Sequence, residues 1–168
     1  MFRQGDYIMY SNYGACFIDD IVEKTIENET KLFYIMRPIN EEKTRIMTPI
    51  NNKKVKMREI MPLEEAENIF NVIMNGNVNL ITDRKQREKA YTKILKEGDP
   101  FEIAEIILTL LLEKNEKSKA GKNISITDKK YLEQAEKLLY SELSVCLDIE
   151  MDQVKEKVLD MLLENEAR

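Results

Sequence analysis

Short runs that contain many β-branched and aromatic residues fill the first sixty positions of the chain, as is typical of β-strands. Four runs cover residues 6–10, 15–26, 31–36 and 43–48, and a shorter fifth lies around residues 56–58. Glycine, asparagine and proline mark the turns between them, with residues 27–30 forming a hairpin turn. Short strands connected in sequence predict a small antiparallel β-barrel of the Tudor or SH3 type.

From Pro62 onward the apolar positions recur every three or four residues, which is the period of an α-helix. The first helix carries its apolar face at Leu63, Ala66, Ile69, Phe70 and Ile73. A polar linker then leads to a basic helix over residues 84–96, and Gly98 marks its end.

Helix-capping residues predict where the later helices begin. Asp99 followed by Pro100 opens a strongly apolar helix, which we expect to be central. Ser125 and Asp128 form a capping box at the start of the next helix. Residues 154–162 carry the pattern of a last short helix.

The change of period predicts an α+β protein of two domains. Residues 1–61 form the Tudor/SH3-like antiparallel β-barrel, and residues 62–168 form an all-α helical bundle. With 168 residues, of which 43% are hydrophobic and 34% charged, the chain has the composition of a soluble globular protein. The longest apolar run is far too short to span a bilayer, and no secretory signal is visible, so we expect a cytoplasmic protein without a membrane partner.

The chain contains no histidine, and this excludes most catalytic and metal-binding arrangements. A Ser-His-Asp triad, a Cys-His pair and a histidine metal cluster are all impossible. The two cysteines, Cys16 and Cys146, are typical of buried structural thiols in a reducing compartment. We therefore predict a protein that is not an enzyme and that has neither a cofactor nor a metal site.

Charge is distributed unevenly along the chain. The net charge is −5, yet residues 83–96 hold six basic side chains against two acids, whereas residues 147–168 hold seven acids against three bases. Two interpretations of the basic helix stay open at this point. It is either the solvated face of an ordinary helix or a surface that binds duplex DNA through phosphates.

Several short motifs, in the same order along nearly the whole chain, resemble the CarD (CdnL-like) family of bacterial transcription regulators that bind RNA polymerase. Residues 2–10, F-R-Q-G-D-Y-I-M-Y, with N-Y-G-A at 12–15, are similar to the family's opening F-x-x-G-D-x-V-x-Y-P-x-x-G. Residues 89–107 contain K-A, L-K-E-G-D and A-E-I-I, which resemble K-A, L-x-S-G-D and A-E-V-V. The pattern at 125–135 is similar to the start of the family's next long helix.

For the N-terminal domain, the resemblance implies docking on a lobe of the RNA polymerase β subunit by edge-strand pairing. Lys24 falls where the family carries a basic residue that contacts the polymerase. The second such position falls on Met47, and we expect Arg45, two residues earlier on the same strand face, to take its place. The implied location is the bacterial cytoplasm, with association to the nucleoid through the polymerase.

For the helical domain, the resemblance implies contact with promoter DNA at the upstream edge of the −10 element and modulation of open-complex stability. Lys89 and Lys129 fall where the family contacts phosphates, and Arg84, Lys85 and Arg87 complete the predicted DNA-binding set. Many members place a wedge tryptophan where this chain has Arg84. Since arginine lacks a flat apolar ring, we expect weaker or altered stabilisation of the open complex. The helical bundle offers no obvious base-reading helix, so we expect recognition of backbone and shape.

An alternative from another class stays open: a protein-interaction adaptor that uses the barrel and does not bind DNA. The N-terminal module also resembles part of the transcription–repair coupling translocase, but the chain lacks the P-loop that a motor requires. The sequence leaves open whether the protein is a monomer or a dimer, and whether it activates or represses.

Overall fold

The chain folds into two compact units, Met1–Ile60 and Met61–Arg168. The structure, a computed structural model, describes residues 1–76, 78 and 80–167. The first unit contains the strands and the second contains the α-helices, which confirms the predicted α+β class. In the described part of the chain, no helix combines the length and apolarity needed to cross a bilayer.

Five strands make up the sheet of the first unit. They are β1 (Tyr7–Tyr10), β2 (Gly14–Ile26), β3 (Glu29–Pro38), β4 (Ile46–Pro49) and β5 (Met57–Glu59), with a short 3₁₀ helix after β1. Their order across the sheet is β4-β3-β2-β1-β5, and every neighbouring pair is antiparallel. Strands β4 and β5 are therefore the two edges.

The sheet differs from the predicted barrel in being open. Among the described residues no ladder joins β4 to β5, and these edge strands contain only four and three residues. Strands this short offer few backbone groups for closing a ring. One side of the sheet nevertheless carries a continuous apolar core, formed by Ile8, Tyr10, Cys16, Ile18, Tyr34, Met36 and Ile46.

The β2–β3 hairpin extends beyond the rest of the sheet. Its turn consists of Glu27 and Asn28, whose φ angles of 50° and 64° are those of a type I′ turn. Strand β1 pairs with β2 only up to Phe17, and β4 pairs with β3 only as far as Phe33. The outer part of the hairpin, near Lys24, is therefore paired only with itself.

The structure describes five helices in the second unit. They are α1 (Leu63–Asn75), α2 (Arg84–Glu97), α3 (Pro100–Lys119), α4 (Ile126–Leu147) and α5 (Met151–Glu166). Helices α3 and α4 supply most of the buried side chains, including Ile107, Leu110, Leu139 and Leu143. The last helix is longer than predicted, since it begins at Met151 and ends at Glu166, beyond the predicted residues 154–162.

Local capping explains where these helices begin. The carboxylate of Asp99 accepts hydrogen bonds from the backbone of Phe101 and Glu102, as predicted, and Pro100 occupies the first turn. Ser125 Oγ accepts from the Asp128 N–H at 3.1 Å. The Asp128 carboxylate does not complete the predicted capping box, since it faces Arg87 of α2 instead.

Candidate functional site

Lys24 lies on the outer part of the β2–β3 hairpin. It stands opposite Lys31 in the ladder, and both side chains are exposed. Lys31 is engaged with Glu29, whose carboxylate lies 3.0 Å from the Lys31 ammonium. The hairpin therefore presents Lys24 as a solvent-facing positive charge.

Met47 lies on β4, at the free edge of the sheet. Ile50 donates its N–H to the Leu32 carbonyl at 3.1 Å, which fixes the hydrogen-bonding phase of the ladder. Because the ladder alternates, Ile46 and Thr48 direct their backbone groups toward β3, whereas Met47 directs its N–H and C=O away from the sheet. The Met47 side chain is also exposed.

Arg45 lies immediately before β4, rather than within it. Its Nη1 is 2.8 Å from Asp19 Oδ2, and Arg37 Nε is 3.1 Å from Asp19 Oδ1. The Arg37 guanidinium also stacks 5.1 Å from the centre of the Phe17 ring. Two arginines sharing one carboxylate leave a net positive charge beside the free edge of β4.

Four lysines of α2 line one open groove between α2 and α4. The groove has a volume of about 540 Å³, and its lining includes Lys85, Lys89, Lys93, Lys96 and Tyr131. All four lysines are exposed, and they follow one side of the helix at intervals of three and four residues. Lys93 and Lys96, which are not in the predicted DNA-binding set, belong to this groove as well.

Tyr131 forms part of the groove and was not among the predicted site residues. Its hydroxyl donates to the Glu88 carbonyl at 3.3 Å and lies 3.1 Å from Thr92 Oγ1. Its ring meets the ring of Tyr91 edge-on, with the centres 5.6 Å apart. The helical periodicity of α4 can indicate which side of the helix Tyr131 occupies. The sequence gives no signal that this side meets Glu88 and Thr92 of α2.

Arg87 is placed differently from the other predicted DNA-binding residues. Its Nη2 lies 3.0 Å from Asp128 Oδ2, and the two side chains are only 13% and 3% exposed. Nη1 also donates to the Ile81 carbonyl at 3.4 Å. Burial raises the pKa of the neighbouring Tyr91 phenol, and the positive charge of Arg87 opposes that rise. The Arg87 side chain therefore turns toward α4 and away from the solvent-facing basic surface.

Arg84 and Lys129 lie at the starts of α2 and α4. Arg84 is largely exposed, and its Nε lies 3.5 Å from Glu88 Oε1, one turn further along the helix. Lys129 is exposed and follows directly after Asp128. Since Asp128 meets Arg87, the two helix starts are held close together, with Lys129 beside the pair.

Comparison with known proteins identifies both units. Residues 68–160 match the CarD C-terminal domain, and residues 2–61 match the CarD-like/TRCF RID domain. The chain belongs to the CarD family. CarD-like proteins are transcription regulators and not enzymes, and the RID domain is an RNA polymerase-interacting domain. The match confirms the family that the sequence motifs indicated.

A bacterial relative extends the similarity over most of the chain. A protein of Bacillus subtilis (strain 168) named "Putative transcription factor YdeB" is 29% identical over 155 residues, which cover 92% of this chain and 98% of the relative. This CarD-family chain is thus similar along nearly its whole length to a protein of matching size.

Proposed function

We propose that this CarD-family protein docks on the β subunit of RNA polymerase through its first unit and contacts promoter DNA upstream of the −10 element through its second. The observation that carries the proposal is the groove between α2 and α4. Four solvent-facing lysines line it within the unit that matches the CarD C-terminal domain. By contacting both the polymerase and the promoter, the protein modulates the stability of the open complex.

The free edge of β4 supports docking by strand addition. An extended segment of the polymerase β subunit pairs with the outward-facing backbone groups of Met47. Pro49 has no N–H to offer, so the pairing is confined to the first part of the strand. Arg45 beside this edge and Lys24 on the hairpin supply positive charges for acidic side chains of the partner. An acidic partner side chain can replace Asp19 as the ion-pair partner of Arg45, because an exposed ion pair contributes little stability.

The lysine groove suits the phosphate backbone of a duplex. Lysine ammonium groups are point charges that follow a line of phosphates without reading base edges. Arg84 and the neighbouring Lys129 extend this surface at the helix starts. Recognition therefore depends on backbone position and DNA shape, and not on a base sequence.

Binding of the full chain to the isolated β-subunit lobe tests the docking half. We expect saturable binding by the wild-type protein and a loss of at least tenfold in affinity for Lys24→Glu and for Arg45→Glu, since each reverses a charge at the interface. Arg58→Glu, on the opposite edge strand β5, makes the same change of charge and serves as the control. Failure of the folded wild-type protein to bind would contradict the docking proposal and favour the adaptor function.

A further inference from the structure

Among the ion pairs that α2 makes with described residues, Arg87–Asp128 is more deeply buried than Arg84–Glu88. The two side chains are 13% and 3% exposed, whereas Arg84 on the same helix is 69% exposed and pairs with a half-exposed Glu88. Arg87 Nε and Asp128 Oδ2 make no hydrogen bond within the described protein, although Nη2 and Oδ2 are 3.0 Å apart. An arginine with only 13% of its side chain exposed and its guanidinium turned toward Asp128 offers little surface to a phosphate in solution.

Helix α2 has few other anchors. Its buried residues are Tyr91 and Leu95, and both lie in its second half. The first half, residues 84–90, contains no buried residue, yet it carries Lys85 and Lys89 of the groove. The apolar core therefore holds the C-terminal half of α2, and a different contact must hold the N-terminal half.

The position of Asp128 suits it to that task. It lies in the first turn of α4, where the helix N-terminus stabilises a negative charge. Its backbone N–H is fixed by the Ser125 cap at 3.1 Å, so the carboxylate projects from a defined point. Neighbouring contacts from Tyr131 to Glu88 and Thr92 continue the seam along both helices.

We propose that the Arg87–Asp128 pair is a positioning device, which holds the N-terminal half of α2 against α4 and so keeps the lysine groove formed before DNA arrives. The DNA part of this inference rests on the proposed function. Arg87 is then a positioning residue, and not one of the phosphate-binding residues.

The inference predicts an effect whose sign opposes simple electrostatics. Asp128→Asn removes a negative charge close to a DNA-binding surface, which by charge alone strengthens binding to a polyanion. If the pair positions α2, the same substitution weakens binding, because the largely covered Arg87 side chain loses its charged partner and the first half of the helix is released. Glu88→Gln removes one negative charge from the groove itself and leaves the buried pair in place, so it is the matched control.

The test uses the full chain and a fluorescently labelled mixed-sequence DNA duplex of 30 base pairs, titrated at several salt concentrations. We expect Glu88→Gln to bind more tightly than wild type and Asp128→Asn to bind at least fivefold more weakly. If Asp128→Asn binds the duplex as tightly as Glu88→Gln does, the inference is overturned.

A second variant covers the case in which Asp128→Asn does not fold. Arg87→Met combined with Asp128→Leu keeps the net charge of wild type and replaces the buried pair by apolar packing, which a protein interior often tolerates. We expect its salt dependence to equal that of wild type. A slope that is shallower by about one phosphate contact identifies Arg87 as a DNA ligand and overturns the inference.

Amide hydrogen exchange separates this inference from the proposed function. In Asp128→Asn we expect faster exchange at residues 88–91, with little change in the centres of α3 and α4. Unchanged protection of α2 overturns the positioning role. If the wild-type protein binds no duplex while Asp128→Asn still exposes α2, the DNA proposal fails and the anchoring role of the pair stands.

Discussion

The salt dependence of DNA binding is the quantity that the groove geometry predicts most directly. Each lysine that meets a phosphate releases condensed counterions, and the slope of log K against log salt is about −0.9 per contact on duplex DNA. Four groove lysines therefore predict a slope of about −3.6, which is a loss of roughly 150-fold in affinity between 50 and 200 mM NaCl. Contacts by Arg84 and Lys129 as well steepen the slope to about −5.4.

Removing one groove lysine tests whether these contacts are real. Lys89→Gln takes away one phosphate contact, so from a slope of −3.6 we expect about −2.7, and the same change of salt then costs roughly 40-fold. Lys155→Gln removes an equal charge from the exposed surface of α5, outside the groove, and its slope stays that of wild type. Fluorescence anisotropy of the full chain on a labelled duplex gives both values.

Two results would refute this reasoning. A wild-type slope no steeper than about −1 means that the lysines do not contact phosphates together and that the basic face is merely solvated. Equal slopes for Lys89→Gln and wild type mean that Lys89 acts only through the net charge of the protein. The first result favours the adaptor function that the sequence left open, whereas the second removes Lys89 from the phosphate-binding set.

Three further predictions concern the wedge position, the core and a partly buried carboxylate. Arg84→Trp introduces a flat apolar ring, so we expect a longer open-complex lifetime in a promoter dissociation assay; no gain contradicts the assigned role of this position. Leu139→Ala removes a side chain that is 1% exposed, which lowers the free energy of unfolding by about 2–5 kcal/mol, whereas Leu163→Ala, at a site 64% exposed, changes it by less than about 0.5 kcal/mol. Urea unfolding curves that give Leu139→Ala and Leu163→Ala the same free energy of unfolding would contradict the difference in burial between the two sites. Burial raises the pKa of Glu136, so the folded state disfavours its charged form and loses stability as the pH rises through that pKa. Glu136→Gln is therefore more stable than wild type at neutral pH, and thermal unfolding shows the difference disappear below the ordinary pKa of a glutamate; a variant less stable than wild type at neutral pH refutes this assignment.

Much of the fold follows from local patterns in the sequence. The change from short runs of β-branched and aromatic residues to helical periodicity separates strands from helices, and it falls close to the boundary between the two compact units at Ile60 and Met61. Asp99 and Ser125 cap their helices as their residue types predict, because an N-cap contact involves only residues two or three positions away. Ordered motifs along the chain were also sufficient to indicate the family.

The open sheet could not be predicted in the same way. Whether the last strand closes a barrel depends on where β4 and β5 end in space, and not on the pattern within either strand. The free backbone groups of Met47 likewise follow from the phase of the ladder, which Ile50 and Leu32 fix. Sequence patterns indicate which residues form strands, but pairing determines which backbone groups remain available.

The candidate DNA surface divides in the same manner. The sequence by itself determined that α2 is basic, because charge is a property of each residue. Only the tertiary structure decided that the exposed lysines of α2 form a groove with Tyr131 of α4, while Arg87 turns inward to Asp128. One arginine and one lysine look alike as formal charges. Their roles diverge because the packing of α2 on α4 buries one side of the basic helix and leaves the other in solvent.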